Sequence, residues 1–367
     1  MLQGLYNLLE GELIRHNKYF VQIYTLNSRP MNYLLYPFSL LYGFGASVRN
    51  KLFDWNVLKS VAFDIPIIVI GNIRVGGTGK TPHTEWILNK LGAEYKLGVL
   101  SRGYGRNSNG FRWVQTNSKV TEVGDEPLQI KNKFPDVPVA VCEDRVVAIP
   151  EMLASFELDA IILDDAFQHR YIKPSFSIVL SDSNHPVFKD HLLPAGRLRE
   201  SAKGINRSQA LIFSKSNHLS SEQKNEFIRI IRGQFNTQLP VYFSTYQYGS
   251  PIGVQYTLPF IEQTPVITVT GIAEPATFND YVNNRFKVMR SFRYPDHYPF
   301  NEKDIQEWEV AIRAHPGAVI LTTEKDAMRI NRFSLNESLP VYYLPIRVTL
   351  DPEDTLVNAI KDCIQYH

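Results

Sequence analysis

Val75, Gly76, Gly77, Thr78, Gly79, Lys80, Thr81 and Pro82 follow directly on the apolar run Pro66–Ile70, an order that predicts a strand, a glycine-rich loop and then a helix. The chemistry is that of a phosphate cradle. Three glycines let the backbone curl with its N–H groups inward, Lys80 brings a point charge to the β- and γ-phosphates, and the Thr81 hydroxyl suits Mg²⁺. Pro82 fits the first helical turn, where no N–H is needed. The usual pattern has a glycine four residues before the Gly-Lys pair; Arg74 stands there instead. Residues Arg74 to Thr81 are therefore read as a nucleotide-binding segment, against the alternative of a glycine-rich turn without a ligand.

Further along, the apolar run Ala160–Leu163 ends in Asp164 and Asp165, the acids expected behind such a loop to hold Mg²⁺ directly or through water. Adjacent residues of a strand point to opposite faces, so both face one metal only if the strand has ended, and the choice between them stays open. Gln168 and His169 follow closely and suit orientation of water, metal or substrate. The loop Pro194–Glu200 offers Arg197 and Arg199 as a phosphate clamp and Glu200 to the metal, or is an exposed charged loop. Transfer to a hydroxyl also needs a proton acceptor. Asp125 is one candidate, although its place ahead of a helix near Leu128 equally suits an N-cap. His297, on the proline-bounded stretch Tyr294–Phe300, is another, and the two form a dyad if their segments meet. Arg102 and Tyr104, within Ser101–Arg106, suit phosphate or sugar contacts or a surface turn.

These residues need elements to place them. From residue 65 onward short β-rich runs alternate with helical stretches, at Ile67–Ile70, Leu97–Leu100, Val137–Val141, Ala160–Leu163, Ser177–Leu180 and Ala210–Phe213. This predicts an α/β fold with a parallel sheet flanked by helices. A second set at Val266–Val269, Ala318–Thr322 and Val341–Leu344, with a helical pattern over Glu302–Ala314, predicts a smaller α/β lobe. The stretch from Ser216 to Thr264 reads as a linker with a small ribbon. The expected division is an N-terminal extension over 1–30, a membrane-associated helical segment over 31–60, a P-loop core over 61–240 and a C-terminal lobe over 241–367.

The chain's 367 residues, 44% apolar and 21% charged, suit two globular domains and exclude disorder. A net charge of +2 supplies no overall field for nucleic acid, and no obligate protein partner is expected. Cys142 and Cys363 lack metal-ligand spacing and read as buried apolar residues of a reducing compartment. Tyr33–Phe44 is uncharged, apolar and aromatic, with Arg49 and Lys51 behind it. It is shorter than the ~20 residues that span a bilayer, and predicts an interfacial anchor, with a buried core helix as the alternative. Met31, just ahead of it, is read as the natural start.

Taken in order, Tyr36–Tyr42, Gly71-Asn72, Val75–Pro82, Ser101–Gly105, Gly124–Pro127, Asp164–His169, Leu193–Glu200, Phe292–His297 and Leu321–Asp326 resemble the tetraacyldisaccharide 4′-kinases. The resemblance runs from about Met31 to the C-terminus. It implies transfer of the γ-phosphoryl group of ATP to the 4′-hydroxyl of tetraacyldisaccharide 1-phosphate, giving lipid IVA, at the cytoplasmic face of the bacterial inner membrane with monotopic or peripheral attachment. It implies that Lys80 and Thr81 serve the phosphates and Mg²⁺, that Asp164, Asp165 and Glu200 form the metal environment, and that Asp125 is the base supported by His297. The competing readings are a membrane-associated nucleotide switch or partitioning-type ATPase, against which Val75 stands where a lysine is usual, and a GTP-dependent metal-insertion protein, against which no Asn-Lys-x-Asp tetrad occurs.

Overall fold

The computed structural model of the protein describes residues 29–367 other than 237, 256–258 and 336–338, with side chains from Leu34 onward. The proposed extension, and with it the question of Met31 as the start, lies largely outside the described residues.

In chain order the elements are α1 (Arg29–Asp54), β1 (Ile67–Asn72), α2 (Lys80–Leu91), β2 (Leu97–Ser101), β3 (Arg112–Trp113), α3 (Val120–Val123), α4 (Asp125–Lys133), β4 (Val139–Val141), α5 (Arg145–Ser155), β5 (Ala160–Asp164), β6 (Phe176–Asp182), β7 (Ala210–Ser214) and α6 (Ser221–Gln234). They continue with β8 (Val241–Tyr248), β9 (Ile252–Gly253), β10 (Val266–Thr270), α7 (Ala276–Arg285), β11 (Val288–Arg293), α8 (Glu302–Ala314), β12 (Val319–Thr323), α9 (Glu324–Ile330), β13 (Val341–Leu344), β14 (Ile346–Asp351) and α10 (Glu353–Gln365).

A nine-stranded sheet runs β14-β8-β7-β6-β1-β5-β2-β4-β3, and strands β8 to β4 of that order are parallel. Its central strand is apolar at every position from Ile67 to Ile70 because both faces are covered. The pleat divides that run: Ile68 and Ile70 pack with Trp86, Leu128 and Leu356 on one side, while Ile67 and Val69 pack with Ile149, Phe227 and Ile231 on the other. In such a sheet the loops beyond the carboxyl ends of the strands gather along one edge, which is where every sequence-selected motif of the larger lobe falls.

The smaller lobe is a five-stranded sheet ordered β11-β10-β12-β13-β9, around Phe300, Trp308, Ile320 and Ile330. The expected boundary at 240 is corrected by the strand pairing. β8 joins the large sheet beside β7, and β14 pairs antiparallel with β8 from Ile346 to Asp351. The stretch read as a linker and ribbon thus holds helix α6 and a strand of the larger lobe. The C-terminal helix α10 also belongs there, burying Leu356 and Ile360 in that core while Glu353 accepts from the Trp86 indole at 3.0 Å. A lone Val-Tyr-Phe alternation does not say which sheet it joins, because pairing is a nonlocal choice.

Helix α1 lies outside both cores. Among the described residues no helix is long and apolar enough to cross a membrane. It docks on the larger lobe through hydrogen bonds and through Phe53 at its C-terminal end: Ser39 Oγ donates to Leu192 O at 3.0 Å and accepts from Ala195 N, Tyr42 Oη donates to Arg199 O at 2.9 Å, and the buried Phe53 ring packs edge-on against Tyr171 at 5.1 Å. Leu34, Phe38, Leu41 and Phe44 are instead exposed, which is the reverse of a helix packed on a core.

If α10 belongs to the larger lobe's core, Leu356→Ala should destabilise the protein by about 2–5 kcal/mol in urea denaturation. A change within error would show that the helix is only loosely applied to the sheet.

Candidate active site

Strand β1 ends at Asn72, and the chain curls through Gly76 (φ 122°) and Gly79 (φ 86°) before α2 begins at Lys80. The curl is pinned from within: Asn72 Nδ2 donates to Thr78 Oγ1 at 2.7 Å, and Ser214 Oγ, at the end of β7, donates to Thr78 O at 2.8 Å. Gly79 is required twice over, by its positive φ and because a Cβ there would sit 1.7 Å from the Tyr246 hydroxyl. The loop opens into a cleft of about 1450 Å³ between the lobes, lined by Gly76–Pro82 on one wall and Ala273, Glu274, His297 and Lys325 on the other.

Beside the loop, β5 stops at Asp164, and Asp165 takes a left-handed conformation (φ 52°). The strand has therefore ended between the two acids, which is the condition for both to serve one site. Asp165 lies 3.4 Å from Lys80 Nζ and 3.5 Å from an Arg199 nitrogen. Burial would raise its pKa, but Lys80, Arg199 and Arg145 outweigh that and hold it at about 2. Asp164 is the opposite case. It is wholly buried, accepts a 3.3 Å hydrogen bond from Thr84 at one oxygen, and has no partner at Oδ2 among the described residues. Burial, then Glu126 and Asp165, push its carboxyl up to about 7.

Asp125 and His297 meet. His297 Nδ1 lies 3.0 Å from Asp125 Oδ2, joining the first turn of α4 to the loop after β11 across the two lobes. Asp125 is not the N-cap: Gly124 (φ 91°) is, and the acid opens the helix itself. Burial of Asp125 is opposed by Lys325, His297 and Arg329, all from the smaller lobe, which hold its carboxyl well below the usual range. His297 is on the cleft wall and Asp125 just behind it, 2% exposed.

Several expected residues take other posts. Arg74 does not line the cleft; its guanidinium pairs with Asp190 at 2.9 Å and lies 3.8 Å from Glu274. Glu200 is held by Arg207 at 2.8 Å, Asn50 at 3.0 Å and Gln168 at 3.1 Å, and among the described residues no three Asp, Glu, His or Cys gather into a metal cluster. Gln168 also donates to Asn72 O at 2.7 Å, tying this loop to the end of β1. Arg102, Tyr104, His169 and Arg199 all line the cleft. Burial, then Arg145, Arg49 and Arg102, hold His169 down at about 3, so its ring is neutral. Sequence reasoning missed Arg145, Lys215, Tyr246 and Lys325 on the cleft wall. Only Lys325, inside the quoted Leu321–Asp326 run, had any local signal.

Comparison with known proteins gives one answer throughout. Residues 31–365 match the family model described as tetraacyldisaccharide-1-P 4′-kinase. A tetraacyldisaccharide 4′-kinase of Parabacteroides distasonis is 40% identical over 343 residues, covering 86% of this chain and 90% of the relative. One of Phocaeicola vulgatus is 38% identical, covering 97% of this chain and 98% of the relative. The fold also matches a crystal structure of the "apo" form of LpxK from Aquifex aeolicus in complex with ATP, with a TM-score of 0.72 and 29% identity over 91% of this chain and 99% of that one.

The state of Asp164 is testable without any ligand. Its folded carboxyl is raised to about 7 while the unfolded one titrates near 4, so the fold binds the extra proton and loses stability as pH rises between those values. Asp164→Asn should therefore raise the thermal midpoint of the ligand-free protein more at pH 8 than at pH 5. A midpoint lowered at both pH values would mean that the carboxylate is a structural requirement.

Proposed function

The chain belongs to the tetraacyldisaccharide-1-P 4′-kinase family, and from that premise we propose which of its side chains transfer the γ-phosphoryl group of ATP to the 4′-hydroxyl of the lipid disaccharide. The activity is that of an ATP-dependent kinase in lipid A biosynthesis. The observation that carries the residue assignment is the single cleft that has the phosphate loop on one side and the Asp125–His297 contact on the other.

ATP enters with its phosphates on the backbone of Gly76–Gly79 and on Lys80. The acceptor-side residues follow β2, β5 and the start of α4, so the nucleoside extends the other way, toward the ends of β7 and β8, where Lys215, Tyr246 and Tyr248 line the cleft with Ala273 and Phe278. An all-oxygen donor set with an unpartnered buried carboxylate oxygen fits a hard divalent cation such as Mg²⁺. Thr81 with Asp164 or Asp165 would hold it, and bound there it neutralises charge on the β- and γ-phosphates. Glu200, which lines the same cleft, also braces Gln168 and Asn50.

Arg199 and Lys80 stabilise the charge that spreads over the equatorial phosphoryl oxygens. Asp125 accepts the hydroxyl proton, and its depressed pKa keeps it ionised at every physiological pH. The present arrangement covers that carboxylate, so the acceptor reaches it as the His297 loop shifts on substrate entry. Arg102, Tyr104 and His169 lie on the wall where the sugar and its phosphate would rest.

The exposed apolar face of α1 suits the interface of a membrane leaflet, at the cytoplasmic surface where ATP is found. Leu41, Tyr42 and Ala46 also line the cleft, so acyl chains stay beside α1 while the disaccharide enters.

With γ-labelled ATP, Mg²⁺ and tetraacyldisaccharide 1-phosphate, label should pass to the lipid and vanish in Lys80→Ala. Asp125→Asn should lower kcat by roughly 10²–10⁴-fold with ATP affinity little changed. ATP hydrolysis without labelled lipid would favour a nucleotide switch. In liposome flotation, a Phe38→Glu/Phe44→Glu variant should bind less yet still phosphorylate detergent-dispersed substrate; undiminished binding would remove α1 as the anchor.

A further inference from the structure

The run Thr322–Asp326 closes β12 and opens α9 with five polar residues, four of them buried. Most of it is bound inside the protein. Thr323 Oγ1 caps the helix by accepting from Asp326 N at 3.1 Å, Asp326 Oδ2 accepts from Gly271 N at 3.0 Å, and Glu324 lies 3.3 Å from Lys133 Nζ. Lys325 alone of the run reaches into the catalytic contact. Its Nζ lies 3.0 Å from Glu126 Oε1, 3.0 Å from His297 Nε2 and 3.9 Å from Asp296.

Hydrogen-bond capacity settles which atoms carry protons. Burial would favour a neutral amine, but Glu126, Asp125 and Asp296 outweigh it and keep Lys325 protonated. An ammonium has only donors, so His297 Nε2 must accept from it. The ring proton is then on Nδ1 and is donated to Asp125. We infer that Lys325 is a positioning residue for the phosphoryl transfer, locking His297 as the Nδ1-protonated neutral tautomer and so leaving Asp125 as the only member of the pair able to take the hydroxyl proton. The inference rests on the assignment of Asp125 as base. In the transfer, the 4′-oxygen bonds to the γ-phosphorus, the bond to the oxygen that leaves with ADP breaks, and the hydroxyl proton passes to Asp125. His297 neither gains nor loses a proton.

The charged groups facing this pair are Lys325, Arg329, Asp296 and Glu126, and Tyr104 lies with its ring 4.9 Å from that of His297. Removing the Lys325 charge takes away the first of the interactions that depress the Asp125 carboxyl. In Lys325→Met the acid limb of the kcat profile should therefore move to higher pH, with kcat down roughly ten- to a hundredfold and KM for ATP within about threefold. Lys325→Arg should bring the limb back toward its wild-type position.

The deciding measurement is the ¹⁵N spectrum of histidine-labelled full-length protein, with His297 assigned by its loss in His297→Gln. Wild type should show the proton on Nδ1, and Lys325→Met should lose that fixed tautomer. A wild-type proton on Nε2 would overturn the inference whether or not the variant folds, as would an acid limb unmoved in folded Lys325→Met. These readings stand apart from the kinase assignment: if Asp125→Asn turns over like wild type, the base assignment fails while the spectrum still reports the lock.

Discussion

Asp125 is an ionised carboxylate almost wholly out of water, and the groups that make this tolerable come from the other lobe. His297, Lys325 and Arg329 all reach it across the cleft. An isolated buried carboxylate costs several kcal/mol, so the larger lobe cannot keep this acid charged without the smaller one in place. The smaller lobe is equally committed, because Lys325 finds its closest carboxylate in Glu126. A buried node nearby adds to this: Lys133, at the far end of the helix that Asp125 opens, meets Glu85 of the phosphate-loop helix at 2.6 Å and Glu324 of the smaller lobe at 3.3 Å. The elements that bear Lys80, Asp125 and His297 are thus held in register by charge pairs, several of which join one lobe to the other.

The parallel sheet explains why these groups arise so close together. Each crossover returns the chain to the same end of the sheet, so the loops after β1, β2, β5 and β7 emerge along one edge. β1 is central, with the acids Asp164 and Asp165 and the cation Arg102 after its neighbours on the β5 and β2 side, and Lys215 and Tyr246 on the β7 and β8 side. The smaller lobe is inserted between β8 and β14, adjacent antiparallel strands of the large sheet. Any movement of that lobe therefore turns about two short connections rooted in a paired ribbon.

Helix α1 solves a different problem. With Leu34, Phe38, Leu41 and Phe44 exposed, this helix holds to the protein through hydrogen bonds, ion pairs and the buried Phe53 ring against Tyr171. Ser39, Tyr42, Arg49 and Asn50 bind main-chain or side-chain groups around Leu192, Arg199, Gln168 and Glu200. This gives Glu200 and Gln168 a role that their types alone would not suggest: they tie helix α1 to the loops that surround the phosphate site.

The phosphate loop, the strand that ends in Asp164, the alternating α/β pattern and an apolar, aromatic N-terminal helix are local properties, and local order was enough to read them. Glycine spacing dictates backbone shape and the apolar period dictates which faces are covered, both within a few residues. Placement across the chain was not legible in that way. Val241–Phe243 reads the same in a ribbon as in a sheet, and only its pairing with Leu211–Phe213 put it in the larger lobe. Arg74 and Glu200 have the right chemistry at the right loop, and only the fold shows that Asp190 and Arg207 pair with them. Lys325 is one charged residue at a helix start until the fold sets it against Glu126 and His297, 199 and 28 residues away in the chain. What the sequence alone determined was the kind of chemistry and the elements that carry it; which charges meet was decided by the tertiary structure, because a buried charge takes the partner that is nearest in space.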